Sequence, residues 1–398
     1  MFREPSLNVS EPSVNIAVCG KFHILNYVEH LSKKGVLNKL YCSTKRSNIK
    51  KLTVNKEIIK NFSTKEYLLY LHNFIFKANH LSNMIPYYHS IWNRSVIRNW
   101  NPANTFHFIS HGACLPLIKQ ARADGATVIC ELVNTHPQSR FELLRSEEEK
   151  WGIKNLKKDL NLSEYYQIEE ALQSDYLLSP SNHVSNSYII NGFKIPIHKI
   201  PYAGNTKKFK AIETKKHLKN PLDNIKIICV GNISLRKGQL YLLEAIKSLK
   251  SNNIHLTLVG KIQNELLPLI KKYSPNFNHI NHINNDDLPK LLATQDIFVL
   301  ASLEEGLAIA ITEAMSMGLP IITTFESGAS DIIEHGLNGI IVPSRSTQHL
   351  AEEITNLINN PDLRYSLGKN ALKSIQKTYN WQSYSDALVN FYYKTLKK

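Results

Sequence analysis

Glu305 and Glu313 stand eight residues apart in EEGLAIAITEAMSMGLP, residues 304–320. Between and around them lie Leu307, Ala308, Ile309, Ala310, Ile311, Ala314 and Met315, all apolar or small. A carboxylate inside such a stretch costs several kcal/mol unless donors reach it. One source of donors is an Arg or Lys partner or a wet helix edge. Another is a ligand. A vicinal diol offers two adjacent O–H groups that one carboxylate can accept together, and two such carboxylates could hold two sugar rings of one extended molecule. Between them, the backbone N–H groups of Leu307, Ala308 and Ile309 open a helix, and a helix N-terminus attracts an anion such as a diphosphate. The ligand implied is sugar–diphosphate–ribose.

A second loop is compatible with that ligand. In GNISLRKG, residues 231–238, Arg236 and Lys237 stand at the start of a helix, where the helix dipole gives positive charge nothing. A bound anion would account for them; so would a solvated basic pair.

The elements that must carry these residues are legible from apolar runs. VNIAV (Val14–Val18) reads as a buried strand running into Gly20, followed by helical spacing over Ile24–Lys34 and a strand over Leu37–Tyr41. ATVICELV (126–133) is another strand, running into NTHP; a charged helical stretch follows at Phe141–Trp151, then strand and turn in SDYLLSPS. KIPYAGNTKKF loses periodicity, and its Pro201, Gly204 and Asn205 mark a linker. From Ile225 the rhythm restarts with IKIICV, a helix in GQLYLLEAIKSL and the strand HLTLVG. DIFVLAS, the helix Leu307–Met317, PIITT and GIIVP complete it. Gly318 and Pro320 stop the helix. Strands alternating with helices predict two α/β domains with parallel sheets. Both charged loops then follow strands, outside the carboxyl ends where open α/β sheets bind ligands.

A chain of 398 residues suits two domains of roughly 150–200 residues each. Its 43% hydrophobic content is that of a globular protein. The formal charge is +15, and residues 1–100 hold fifteen Lys and Arg against five Asp and Glu. Such a surface draws phosphates, acidic lipids or nucleic acid, unless it is plain solvated surface. The segment Asn61–Trp100 mixes aromatics with Arg94 and Arg98; base stacking or membrane insertion would use it, but a helix burying one face is the ordinary reading. No apolar run reaches the roughly 20 residues of a membrane span, and MFREPSLNVSEPS has no signal-peptide core. Cys19, Cys42, Cys114, Cys130 and Cys229 lack CxxC spacing and read as reduced core thiols of a cytosolic protein. No GxGxxG marks a dinucleotide site.

Taken in order, these segments resemble glycosyltransferase family 4, the retaining sugar-nucleotide transferases of GT-B fold. The paired-glutamate signature is Glu305 through Glu313 with EAMSMGLPIITT; VGNISLRKGQLYLLEAI resembles the diphosphate loop, PYAGNTKKF the interdomain segment, VCGKFH the N-terminal glycine loop and SGASDIIEHGLNGIIVP the closing element. The likeness is strong over Ile225–Tyr379 and looser, in register, over Val14–Phe209. It implies two Rossmann-like α/β/α domains with parallel sheets facing across a cleft. An acceptor-binding domain would span 1–205 and a nucleotide-sugar domain 206–379, with a C-terminal helix in 380–398 crossing back onto the first.

The resemblance also implies roles. Glu313 would hold the ribose hydroxyls, Glu305 the transferred sugar, and Lys237 the charge on the departing β-phosphate. Gly20 would let the N-terminal backbone approach the diphosphate, and Gly306, Leu307, Ala308 and Ile309 would form the helix N-terminus beneath it. Two departures stand out: Asn232 replaces a common Arg, for which Arg236 could substitute, and Ala308 replaces a Gly, narrowing the pocket. A His near the reacting centre is expected. His136 in ELVNTHPQ is the first candidate, His111 its rival, with His23 behind. No metal or cofactor is implied. The expected partners are a nucleotide-diphosphate sugar and a glycan or lipid-linked acceptor of cell-envelope polysaccharide synthesis. Peripheral contact with an anionic membrane from the cytoplasmic side is also expected, and no nucleic acid. The rivals are a nucleotide-sugar epimerase of the same fold and a non-catalytic basic protein binding membrane or nucleic acid.

Overall fold

The computed structural model describes residues 11–20, 22–76, 81–153, 159–210, 224–274 and 276–397. Most of the stretch MFREPSLNVSEPS, and Lys21 of the glycine loop, lie outside them.

The first half of the chain builds a parallel sheet from β1 (Val14–Val18), β2 (Leu37–Cys42), β3 (Ile59–Asn61), β4 (Thr105–Ile109), β5 (Thr127–Glu131), β6 (Tyr176–Ser179) and β7 (Ile197–Lys199). Its helices are α1 (Val28–Lys33), α2 (Arg46–Lys50), α3 (Thr64–Phe76), α4 (Leu81–Arg98), α5 (Leu115–Ala123), α6 (Pro137–Lys150), α7 (Leu162–Leu172) and α8 (Asn182–Ile190). The second half pairs β8 (Ile225–Val230), β9 (Ile254–Val259), β10 (Phe277–Ile280), β11 (Ile297–Leu300), β12 (Ile321–Thr324) and β13 (Ile340–Val342). They alternate with α9 (Gln239–Ser248), α10 (Leu267–Lys271), α11 (Leu288–Leu292), α12 (Ile309–Ser316), α13 (Thr347–Asn359) and α14 (Pro361–Lys377). The last helix is α15 (Trp381–Thr395).

Among the described residues the strand orders are β3-β2-β1-β4-β5-β6-β7 and β10-β9-β8-β11-β12-β13, every pairing parallel. Parallel strands buried on both faces need continuous apolar runs, and β1, β4 and β11 are buried at every position. The order reverses direction between β1 and β4 and again between β8 and β11. Loops at such switch points diverge to opposite faces and leave a crevice for a ligand. The loop after β1 holds Gly20; those after β8 and β11 hold Lys237 and Glu305.

The interdomain segment is firmer than its composition suggests. Tyr202, Ala203 and Phe209 are buried, and Gly204 pairs with Asn380 where the chain crosses back. A Cβ on Gly204 would stand 2.6 Å from Ser316 Oγ, so only glycine lets the two crossings lie against α12. Beyond Asn380, α15 buries Trp381, Tyr384, Leu388 and Tyr392. It docks on the first sheet: Tyr392 hydroxyl meets His107 Nδ1 at 2.6 Å and Tyr384 hydroxyl reaches Glu131 at 3.4 Å.

Candidate active site

The helix carrying the paired glutamates is α12, a turn shorter than the pattern suggests, with Ala308 as its N-cap. Glu313 lies on its half-buried edge and finds no hydrogen-bond or ion-pair partner among the described residues. Burial pushes its carboxyl up to about 7, and the charge of Lys208 offsets only part of that. Lys208 is itself paired with Asp286 at 2.9 Å. Of the sources of donors compatible with the sequence, the described residues supply no basic partner, and the half-buried edge leaves the carboxyl open to water or to a ligand.

Glu305 is handled differently. Its oxygens meet Lys237 Nζ at 2.6 Å and Arg236 Nη1 at 3.3 Å. Both cations sit in a tight 3-10 turn, Leu235–Lys237, rather than in α9 itself. Gly238 separates the two elements with φ +64°, and a Cβ there would be 1.9 Å from Ala301 O. The β8 loop is thereby pressed onto the end of β11, which is what brings Lys237 to Glu305. The Lys237 chain passes over Gly231, where a Cβ would meet its Cε at 3.3 Å.

Glu304 joins the site without having been singled out by its sequence pattern. It is buried, accepts hydrogen bonds from the Thr135 N–H and hydroxyl, both at 2.9 Å, and pairs with Arg236 at 3.1 Å. Burial raises its carboxyl; Arg236 and Arg140 outweigh that and hold it below the usual carboxylate range. Arg236 also reaches Asn134 Oδ1 at 3.5 Å, so the NTHP loop of the first domain is tied to both charged loops of the second. The available signal is a second acid beside Glu305 and polar residues after β5; neither has a spacing that names a role.

Gly306 closes the same junction. Ser181 hydroxyl donates to Gly306 O at 2.6 Å, and a Cβ on Gly306 would lie 2.0 Å from Val133 O. The expected row of free N–H groups is reduced, because Ala308 N–H donates to Ser327 O at 3.1 Å. Leu307 and Ile309 flank it. Asn232 is exposed, and its carbonyl accepts from Gln239. Gly20, with φ +136°, lies two residues past β1, and a Cβ there would stand 3.1 Å from the Phe22 ring.

The histidines are placed as follows. His136 caps α6: its Nδ1 accepts from Gln138 N–H at 3.2 Å, and its ring packs on Tyr188 and Phe193. Burial, then Arg140, lower it to about 4, so the imidazole is neutral at ordinary pH. His111 stacks on Phe22 at 4.2 Å and is lowered to about 3 by burial. His23 contacts buried Glu131 at 2.6 Å.

Two parallel-sheet α/β domains meeting at their switch-point loops define the GT-B architecture. The structure of HepE from Anabaena in complex with UDP-glucose superposes with a TM-score of 0.69 at 13% identity, covering 95% of this chain and 98% of that one. Residues 210–374 match the model for glycosyl transferases group 1. The capsular polysaccharide biosynthesis glycosyltransferase CapM of Staphylococcus aureus is 30% identical over 183 residues, 44% of this chain and 48% of that protein. A GDP-mannose-dependent alpha-(1-6)-phosphatidylinositol monomannoside mannosyltransferase of Mycobacterium tuberculosis is 24% identical over 178 residues, 42% of this chain and 46% of that one. The chain thus spans about half the length of the curated relatives it matches.

Proposed function

We propose that this chain is a retaining glycosyltransferase that moves a sugar from a nucleotide-diphosphate sugar to a hydroxyl of a glycan or lipid-linked acceptor in cell-envelope synthesis. The observation that carries this reading is Glu313, a carboxyl without a hydrogen-bond or ion-pair partner among the described residues, on the helix whose preceding loop presents Glu305 to Lys237. A ribose diol gives Glu313 the donors that the fold withholds. Lys237, over Gly231, faces the position a diphosphate takes above the β8 loop. Glu305, freed from Lys237 as that anion binds, accepts from hydroxyls of the transferred sugar.

In the reaction the anomeric C–O bond to the β-phosphate breaks and its electron pair stays on the phosphate oxygen. The acceptor oxygen forms the new bond on the same face, and its proton passes to that phosphate oxygen, so no side-chain base is needed. Lys237 and Arg236 supply preorganised positive charge where negative charge grows, and such charge usually gives a site most of its rate enhancement. In this reading the reaction is metal-independent, and His136 serves as a cap. Both junction contacts, Glu304 with Thr135 and Gly306 with Ser181, exclude water from the reacting centre. The names of the capsular polysaccharide and phosphatidylinositol monomannoside relatives support an envelope acceptor; the basic first hundred residues support meeting it at an anionic membrane from the cytoplasmic side. Among the described residues no helix is long and apolar enough to cross a membrane.

Thermal shifts with UDP, GDP, ADP and their sugars test the proposal, since a ligand of the native state raises the melting point. One nucleotide family should stabilise the protein, and Glu313→Gln should erase most of that shift. No shift with any of them, or full turnover in Glu305→Gln, would overturn it. Epimerised or free sugar formed without acceptor would point to an epimerase instead.

A further inference from the structure

Helix α3 half-buries Leu68 and Leu69 but leaves a second apolar face in water. Its face at Tyr67, Tyr70, Leu71, Phe74 and Ile75 follows helical spacing and is apolar throughout, yet these side chains are 50% to 75% exposed. Its opposite face turns Lys65 and His72 inward, both nearly inaccessible. Lys65 pairs with Glu66 at 2.8 Å, Glu66 accepts from Ser43 at 2.6 Å, and His72 Nδ1 meets Tyr88 hydroxyl at 3.0 Å. The contacts to Ser43 and Tyr88, which lie outside the helix, fix its rotation. Neighbouring α4 behaves ordinarily, burying Tyr88, Trp92 and Val96. A surface helix normally buries its apolar stripe, and a continuous apolar stripe left in water marks a contact surface.

We infer that the outer face of α3 is a docking surface for an anionic lipid bilayer. Charge selects this occupant. Of the ten Lys and Arg that residues 45–100 hold against two Glu, Lys65 is buried, while Lys50, Lys51 and Lys56 are exposed. Lys45 and Arg46 are exposed directly after Ser43 and Thr44, beside the first turn of α3, and Arg94 and Arg98 are exposed on α4. A second copy of the chain would bring this positive surface against itself, which like charge opposes. A bilayer containing acidic lipid attracts it, and tyrosines among leucine, isoleucine and phenylalanine suit the boundary between headgroups and acyl chains.

The position matters as much as the composition. Lys65 lies against Cys19, just beyond β1, and Glu66 against Ser43, just beyond β2. The helix therefore covers the carboxyl edge of the first sheet, the edge that carries Gly20. A bilayer held there borders the cleft, and an acceptor hydroxyl presented on a lipid reaches the reacting centre without leaving the membrane. That consequence rests on the glycosyltransferase reading; the docking does not.

The test is co-sedimentation of the full chain with vesicles of phosphatidylcholine alone or with one third phosphatidylglycerol, at low and high salt. The parent should partition onto the anionic vesicles and be released by salt. Tyr70→Ser combined with Phe74→Ser should lower that partitioning by about tenfold or more, with melting point and nucleotide-induced shift unchanged. Equal partitioning of parent and double variant overturns the proposal, as does a parent that ignores anionic vesicles. A dimer in light scattering that the double variant splits would also overturn it, assigning the face to a second copy. The nucleotide shift, read on the same samples, reports the glycosyltransferase reading separately.

Discussion

Glu313 concentrates the trade between stability and function in one side chain. Its carboxyl titrates near 7 in the fold and near the ordinary carboxylate value when unfolded. The folded state therefore binds the proton more tightly. Stability is highest where both states are protonated, falls as pH rises through the window between the two values, and stays low above about 7. Glu313→Gln removes that penalty. At pH 8 the variant should be more stable by about 1–3 kcal/mol, seen as a higher melting point, while its nucleotide-induced shift is lost. A variant less stable than its parent at that pH would mean that Glu313 is satisfied within the protein. Lys237 has the opposite profile. Lys237→Ala leaves Glu305 still paired with Arg236 at 3.3 Å, so the fold should tolerate it. Turnover should fall by about a hundredfold or more, the scale of losing one preorganised charge at a leaving group. Arg236 has two tasks, and Arg236→Ala should weaken both donor affinity and the tie to Asn134 and Glu304; unchanged activity and affinity would show that it does not stand in for the charge missing at Asn232.

At the scale of elements, the loops after β8 and β11 act as one unit because backbone fits backbone. Gly238→Ala would force a left-handed residue and a Cβ into Ala301 O. Its cost should exceed about 1 kcal/mol, with donor affinity falling at the same time because Lys237 moves with the turn. Gly306→Ala is the more telling change. Its Cβ would press on Val133 O, across the junction between domains, rather than on its own domain. We expect a melting point near that of the parent, donor binding largely kept and kcat reduced, since closure and not the nucleotide contact is obstructed. An unchanged kcat would show that the junction opens freely during turnover.

Across the whole molecule, the buried carboxylate of Glu131 ties α15 to the first domain. Burial alone would raise this group; His23 and His107 outweigh burial and hold it well below the usual carboxylate range. Because its folded value is depressed, its contribution is present above the unfolded carboxylate value and is lost as pH falls below it. Glu131→Gln should destabilise the protein by about 3–5 kcal/mol, the scale of breaking a buried pair on one side. The variant should also lose much of the parent's steep acid sensitivity. Protection of α15 amides from hydrogen exchange should fall first, ahead of the sheet cores. A second tie, Glu147 with Arg345 at 2.6 Å and with Tyr241 hydroxyl at 2.7 Å, joins α6 to the second domain and is independent of the first.

The sequence by itself determined the alternation of strand and helix, because parallel strands buried on both faces must be written as apolar runs. It also determined which loops follow strand ends, and hence Glu305, Glu313 and Lys237 as candidates. Only the tertiary structure decided what each charge faces. Glu313 was open between a basic partner or a wet helix edge and a ligand; the packing around α12 brings it no basic partner among the described residues and leaves it on a half-buried edge. Glu304 carries no periodic signal, since its partners Thr135 and Arg236 lie far away in sequence. His136 stands in NTHP as the first histidine candidate, and only the structure shows that α6 begins at the next residue and takes its ring as a cap. Over Asn61–Trp100 the sequence reads as a helix burying one face, and α3 departs from that reading by leaving its apolar face outward. A periodicity says that a helix has two faces; Ser43 and Tyr88, brought in from other elements, chose which face looks inward.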